Sequence, residues 1–543
     1  MNTLQTADYI VFFIYFIAIS AYGYYIYNKK KAATTSSKDF FLAEGSLTWW
    51  AIGASLIASN ISAEHFIGMS GSGFALGLAI STYEWMAAAT LLVVAIFILP
   101  VYLKNKIFTM PQFLAKRYND TVSTIMAVIW LLVYVFVNLT SIIYLGALAI
   151  SSISSISFEW CIAGLSIFSI IVTLGGMKVI GYTDVFQVLV LIVGGLVTTY
   201  LALTLLSEQF GYGKDIFKGL AILRKEAPTH FHMIFDESNL HYKELPGMSV
   251  LIGGMLINNL AYWGCNQYIV QRALGADLKT ARKGILFAAF LKMLVPVIAV
   301  LPGIAMYVMH NNGMFQKEMA DAAGVIKPDN AYPTLMNLLP AGLKGVAFAA
   351  LTAAIVASLA GKANSISTIF SLDIYKKYFN KEASERKLVL TGRWVVIISM
   401  LIAAIVAPAL KSLDQAYQFI QEYAGFFSPG VLAIFLLGMF WKKATAAAGL
   451  AGALLTVPIS TVLKFLPSWT NGAFPDYPFL DRMTITFFAI IIVMVAISLL
   501  RPKPANDTHI IEVDKSMFKV SPGFIVASFI ICGILAALYT VFW

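Results

Sequence analysis

Charge is scarce in this chain. Asp, Glu, Lys and Arg make up 12% of its 543 residues, where a soluble chain carries roughly a quarter. That deficit argues against a string of soluble domains. Cysteine is scarcer still. Cys161, Cys265 and Cys532 are odd in number and all fall in apolar runs, which gives no disulfide framework and no metal-ligand spacing. A nucleophile held by a base is also missing, so the pattern of an enzyme is absent. What the chain has instead is hydrophobic residues, 59% of the total, at a mean hydropathy of +0.79. They come in blocks of about 20 or more, long enough to cross a ~30 Å hydrocarbon core as helices.

Fourteen such spans are expected, near residues 8–28, 49–74, 78–103, 121–150, 158–176, 184–206, 248–270, 284–309, 345–375, 391–410, 415–440, 445–466, 481–500 and 521–541. No cleavage site follows the first block, which therefore reads as a retained helix. The formal charge of +10 is the cytoplasmic Lys/Arg excess of a membrane protein rather than a nucleic-acid footprint. Lys29, Lys30, Lys31 and Lys38 follow span one, and Lys104, Lys106, Lys116 and Arg117 follow span three. Arg272, Lys279, Arg282 and Lys283 follow span seven, and Lys376, Lys377, Lys381, Arg386 and Lys387 follow span nine. With alternating spans, one side collects roughly 25 Lys and Arg against roughly 10, and is the cytoplasmic one. Both termini and the long loops at 207–247 and 310–344 then lie outside. His230, His232, His241 and His310 sit there as solvated loop histidines rather than ligands.

Two spans are irregular. Span two runs Asn60-Ile61-Ser62-Ala63-Glu64-His65, then Gly68, Gly71 and Gly73. Span seven carries Gly253-Gly254, Asn258-Asn259, Gly264, Asn266 and Gln267. Polar, Gly-rich runs at membrane depth are costly unless they line a cavity. The two breaks are five spans apart, so spans two to six and seven to eleven form two five-helix halves. An odd number of helices per half inverts one half relative to the other, as in transporters built from inverted repeats around broken helices. The expected fold is therefore all-α and integral to the membrane, with fourteen helices and a ten-helix (5+5) inverted-repeat core of the LeuT type. It is a single transporter domain over 1–543. Within it, 1–48 holds the first span and a basic loop, 49–206 the first repeat, 207–247 an external loop, 248–440 the second repeat, and 441–543 three further helices.

Few ionisable groups lie inside spans: chiefly Glu64, His65, Glu84, Lys292, Lys362 and Glu422. Each is a functional candidate or an ion pair that orients helices. Asn60 lies about a turn from Glu64 and His65 at the first break. Asn259, Tyr262 and Trp263 cluster in the second, and Tyr417 precedes Gln421 by a turn. Amides, carboxylates, an ammonium and aromatic faces together suit a neutral polyol, which needs many donors and acceptors plus flat apolar surfaces.

Several motifs resemble those of sodium/solute symporters. They are Trp49-Trp50-Ala51-Ile52-Gly53-Ala54-Ser55, the Asn60-to-Gly73 stretch, Asp184, and Asn259-Leu260-Ala261-Tyr262-Trp263-Gly264-Cys265-Asn266-Gln267-Tyr268 with Gln271-Arg272. Phe370-Ser371-Leu372-Asp373-Ile374-Tyr375 and Gln418-Phe419-Ile420-Gln421-Glu422-Tyr423 complete the set. The resemblance runs over nearly the whole chain and is closest to the bacterial sodium/galactose (sodium/glucose) type. It implies that Asn60, Glu84, Asn259, Lys292 and Gln421 hydrogen-bond sugar hydroxyls. Tyr262, with Trp263 beside it, would close the inner gate. Met69, Tyr83 and Tyr417 would form the outer gate, where the galactose pattern has Phe at the last position. His65 replaces a Gln and Ala87 a Ser of that pattern. Animal glucose carriers have His and Ala there, so the substrate shifts toward a glucose-like hexose.

The resemblance also implies a sodium site between spans two and nine. Its carbonyls match Ala58, Ile61 and Ala354, and its hydroxyls match positions 357 and 358. Here Ala357 has no hydroxyl and only Ser358 remains. Lys362, where the family has an apolar residue, lies one turn on along the same helix face. Two unit charges ~4 Å apart repel by about 4 kcal/mol at an effective dielectric of 20. Asp184, at the start of span six, matches a carboxylate that helps the ion leave, and is equally placed to favour the helix dipole.

The sequence thus implies hexose uptake by alternating access, with no cofactor and no further metal. The coupling ion is Na+; if Lys362 replaces the bound cation, transport is sodium-independent or coupled to H+. Alternatives are a sugar-gated sensor or channel, and a symporter of inositol or another polar solute. The expected partners are a sugar and the lipid bilayer of the cell inner membrane, with no nucleic acid, in a monomer or loose homodimer.

Overall fold

The computed structural model describes residues 4–29, 40–41, 47–321, 324–412, 421–504 and 507–543. Helices dominate. They are labelled here α1 (Thr6–Lys29), α2 (Trp49–Asn60), α3 (Ser70–Leu76), α4 (Thr82–Val93), α5 (Asp120–Leu132), α6 (Thr140–Ile153), α7 (Phe158–Leu174) and α8 (Gly176–Gln209). The second half supplies α9 (Gly254–Cys265), α10 (Gln267–Leu274), α11 (Leu278–Asn311), α12 (Leu343–Ile369), α13 (Glu385–Val406), α14 (Ser428–Phe440), α15 (Ala446–Trp469), α16 (Phe479–Leu500) and α17 (Pro522–Val541).

Among the described residues, eleven helical stretches are long and apolar enough to cross a membrane. The expectation of fourteen differs by the three spans that do not run as one long helix. Span two is interrupted between Asn60 and Glu64, and span seven breaks at Gly253 and again at Asn266. Span five is the shorter helix α7. Both interruptions fall on the polar, Gly-rich runs, where side-chain amides and hydroxyls compete with helix bonding and glycine costs most entropy.

The interior is built from α2, α8, α11 and α12, with α8 packed on the other three and α2 on both α11 and α12. Small residues set these crossings. A Cβ on Gly303 of α11 would stand 2.0 Å from the Ser70 carbonyl oxygen, so α3 and α11 touch backbone to backbone. Glycine is obligatory at Gly77, where φ is +76° and a Cβ would meet His230 O at 2.4 Å. That residue turns the chain from α3 toward α4. Pro296 inside α11 has no N–H for the Lys292 carbonyl, which loosens the helix at the lysine.

Hydrogen bonds anchor both ends of the described chain to loops. Asp8 near the start of α1 accepts from Gly342 N and Gly345 N at 2.7 and 2.8 Å, at the start of α12. At the other end of the chain, Met233 N donates to Phe542 O at 2.7 Å. The segment carrying Met233 also holds His230, whose Nε2 lies 3.0 Å from Phe74 O and whose ring stacks on Tyr307 at 3.8 Å. His230 is buried, and so is His310, so both are packing residues and not the solvated loop histidines expected.

Candidate functional site

The two helix breaks face each other across a partly enclosed cavity. One wall carries Asn60, Glu64, His65, Tyr83, Glu84 and Ala87; another carries Asn258, Asn259, Tyr262, Trp263 and Asn266; Lys292, Lys362 and Gln421 close it. The chain brings these together because α2 stops at Asn60, where Ile61 adopts extended geometry, and α9 stops at Cys265 before Asn266 does the same.

A polar network spans the breaks. Asn60 Nδ2 donates to Tyr262 Oη at 2.9 Å, while Asn60 Oδ1 accepts from the Lys292 ammonium. Lys292 also donates to Glu84, and His65 Nε2 lies 3.4 Å from the other Glu84 oxygen. Glu84 is 4% exposed and Lys292 0%. A buried carboxylate with two partners and a buried ammonium with two acceptors satisfy the rule that interior charge must be paired. Ser62 N donates toward His65 Nδ1 at 3.4 Å, which turns Nε2 to Glu84. Lys292 Nζ further lies 5.2 Å from the Trp263 ring centroid.

Other expected residues divide. Asn259 lines the cavity but spends an amide proton on Met255 O, 3.1 Å away in its own helix. Tyr83, Tyr262, Trp263 and Gln421 all line it. Met69 is fully buried and is not part of the cavity wall. Tyr417 lies outside the described residues. Glu422 turns away, pairing with Lys464 at 3.0 Å and with Arg482, so it ties its segment to α15 and α16. It is the ion pair that orients helices.

Ala58, Ile61, Ala354, Ala357 and Ser358 are all buried where α2 packs on α12. Ser358 Oγ donates to Ser59 O at 3.0 Å, and Lys362 Nζ donates to Ser358 Oγ at 2.8 Å. Asp184 does not begin its helix. α8 starts at Gly176, so Asp184 lies more than two turns in, beyond the reach of the helix dipole. It accepts from Ser55 Oγ and lies 3.9 Å from Arg272, whose Nε donates to Ser55 O at 3.0 Å.

An aromatic floor was not foreseen. Tyr134 donates to Asn266 and packs edge-on against Tyr268 at 5.4 Å, and Tyr268 in turn packs on Tyr262 at 5.7 Å. Tyr134 lies in the π-helical turn Val133–Leu139 that separates α5 from α6. Such turns are frequent at functional sites. Asn138, a lone amide within an apolar run and a wall residue of the cavity, was the signal available in the sequence.

Residues 40–456 match the profile of the Sodium:solute symporter family. The chain belongs to that family. This symporter-family chain is 45% identical over 99% of its length to the sodium/glucose cotransporter of Vibrio parahaemolyticus, and covers 99% of that protein. It is 33% identical to the human sodium/myo-inositol cotransporter 2, with 85% of this chain and 71% of the relative covered. The solved structure of a Na+-coupled sialic acid symporter in a substrate-bound outward-open state superposes with a TM-score of 0.77 at 22% identity, over 92% of this chain and 99% of the other. That likeness establishes the fold. The family makes the chain a secondary transporter of the membrane and not an enzyme.

Proposed function

We propose that the chain takes up a glucose- or galactose-like hexose by alternating access, with the sugar held in the cavity between the two helix breaks. The observation that carries this reading is the network of Asn60, Glu84, Lys292 and Tyr262 beside the face of Trp263. Each of these groups can exchange an internal hydrogen bond for a sugar hydroxyl. The aromatic faces of Tyr262 and Trp263 offer flat apolar surface for sugar C–H groups. His65 and Gln421 add further polar groups to the lining. The 45% identity to a protein named for glucose supports the same substrate.

Transport then requires the cavity to open to each side in turn. Residues 49–206 and 248–440 act as the two inverted five-helix halves of a ten-helix core within fourteen spans. The termini lie outside the cell membrane and the Lys-rich loops inside. Tyr262 and the Tyr134–Tyr268 floor gate one end, and Tyr83 belongs to the gate at the other. Asp184, held by Ser55 and Arg272, lies on the route by which a coupling ion leaves.

The relatives named for myo-inositol favour one second reading, a cyclic polyol in the same cavity. Uptake of labelled glucose into proteoliposomes, competed by galactose, myo-inositol and mannitol, separates the two. Expected are saturable glucose uptake and strong competition by galactose. Competition by myo-inositol alone overturns the hexose in favour of the polyol, and an absence of glucose uptake under every ionic condition overturns both the hexose and its gating scheme.

A further inference from the structure

Two features that attract a cation meet at Lys362. One is the broken C-terminal end of α2. A helix end leaves its last carbonyls without intrahelical N–H partners and carries partial negative charge. In α2, Ser55 O is engaged by Ser59 Oγ and Arg272 Nε, Ile57 O by Ile61 N, and Ser59 O by Ser358 Oγ. The other feature is the Ser358 hydroxyl itself. Its proton is committed to Ser59 O, so its lone pairs face the Lys362 ammonium, which donates to them at 2.8 Å. The relay Lys362 to Ser358 to Ser59 O ties α12 to the end of α2.

Lys362 is 3% exposed and borders the central cavity. It lies 4.7 Å from the ring centroid of Tyr268 on α10, a cation–π distance. The charged groups facing it are Glu64, from the segment after the break, and Arg272, from α10. Arg272 is bound to the Ser55 and Tyr268 carbonyls, so it holds its own place against Gly361 rather than competing for Ser358.

We propose that the Lys362 ammonium is a tethered cation that substitutes for Na+ at the α2–α12 junction, so that sugar uptake by this chain does not require Na+. The donor set supports this. A sodium ion needs several oxygens around it, and each one lost weakens binding. Position 357 is a buried alanine with no side-chain oxygen to give, and one lone pair of the Ser358 hydroxyl is taken by Lys362. A fixed positive charge about 4 Å away weakens a monovalent cation further, by roughly a thousandfold at a surface-like dielectric. The tethered charge supplies the bridge between helices at any external ion concentration.

The proposal rests on the sugar-uptake reading only for its transport arm. Its ion arm is measured on purified protein without sugar. Binding of ²²Na+ to the wild-type chain is expected to be absent up to hundreds of millimolar, and thermal unfolding to be the same in NaCl and choline chloride. The Ala357→Ser/Lys362→Met variant is expected to gain saturable millimolar ²²Na+ binding. Wild-type glucose uptake in proteoliposomes is expected to change less than twofold when choline replaces Na+. Saturable millimolar ²²Na+ binding by the wild type, or a tenfold or greater loss of its uptake in choline, overturns the proposal. Both decisive measurements use the wild type, so a variant that fails to fold does not weaken them. Should no sugar enter under any ionic condition, the substrate reading fails while the ²²Na+ result still decides the ion.

Discussion

Glu84 and Lys292 stand 208 residues apart in the sequence and form one charge pair in the fold. Each was visible on its own, because a charge inside an apolar run is conspicuous. Their pairing was not visible, since nothing local couples two helices in different halves of the chain. The same limit explains Glu422, whose partners Lys464 and Arg482 belong to helices outside the core. It also explains Met69, which helix packing seals away from the cavity. Glu84→Gln removes one charge and leaves the Lys292 ammonium buried and unmatched. Breaking a buried pair costs about 3–5 kcal/mol, so the variant is expected to unfold well below the wild type in detergent and to take up no sugar. Glu84→Gln/Lys292→Met removes both charges and is expected to regain most of the thermal stability but none of the uptake. Thermal unfolding and uptake measured together separate a structural role from a binding one. Recovery of uptake in the double variant would place the pair outside the sugar site.

Helix ends and breaks were legible because they are written in local chemistry. Asn60-Ile61-Ser62 and Cys265-Asn266 interrupt helices where amides and hydroxyls replace aliphatic residues. The π-helical turns at Glu64–Met69 and Val133–Leu139 were not legible, because one extra residue per turn leaves the apolar pattern almost unchanged. Nor was the docking of Pro328–Asn330 on α3. There Asp329 Oδ1 lies so close that a Cβ on Gly71 would be 2.5 Å from it. Burial raises the Asp329 carboxyl from 3.8 to about 6, with Lys327 opposing the shift. Below the unfolded value the group is neutral in both states and costs nothing. Between 3.8 and about 6 the unfolded chain ionises it while the folded protein keeps it neutral, so stability falls as pH rises across that window and levels off above it. A shift of this size converts to about 1–2 kcal/mol once partial solvent screening is allowed for. Asp329→Asn is therefore expected to unfold at a higher temperature than the wild type at pH 8 and at the same temperature near pH 4. A difference that persists unchanged at pH 4 would assign the gain to packing instead.

At the scale of the molecule, the proposed topology puts the end of α1 that carries Asp8 and the C-terminal Phe542 on the same face. This requires an even number of crossings. Eleven uninterrupted helices alone would put the termini on opposite faces. Adding the two broken spans and the short helix α7 restores an even count. The spans that look least like membrane helices are thus the ones the topology needs. Under the same proposal, charge sets which face is external. The loops after spans three, seven and nine carry the Lys and Arg clusters, and basic loops are retained on the cytoplasmic side. A phosphatase that folds only outside the cytoplasm is therefore expected to be active when fused after Trp543 and inactive when inserted near Lys381. Green fluorescent protein exported through the general secretory route stays dark and should report the reverse, dark after Trp543 and bright near Lys381. Equal phosphatase activity at both positions would mean an even number of crossings between them, and would remove one of the five spans after Lys381 from the membrane. An active insertion near Lys381 with an inactive C-terminal fusion would keep the spans and invert the whole molecule, turning the proposed uptake geometry to face the other way.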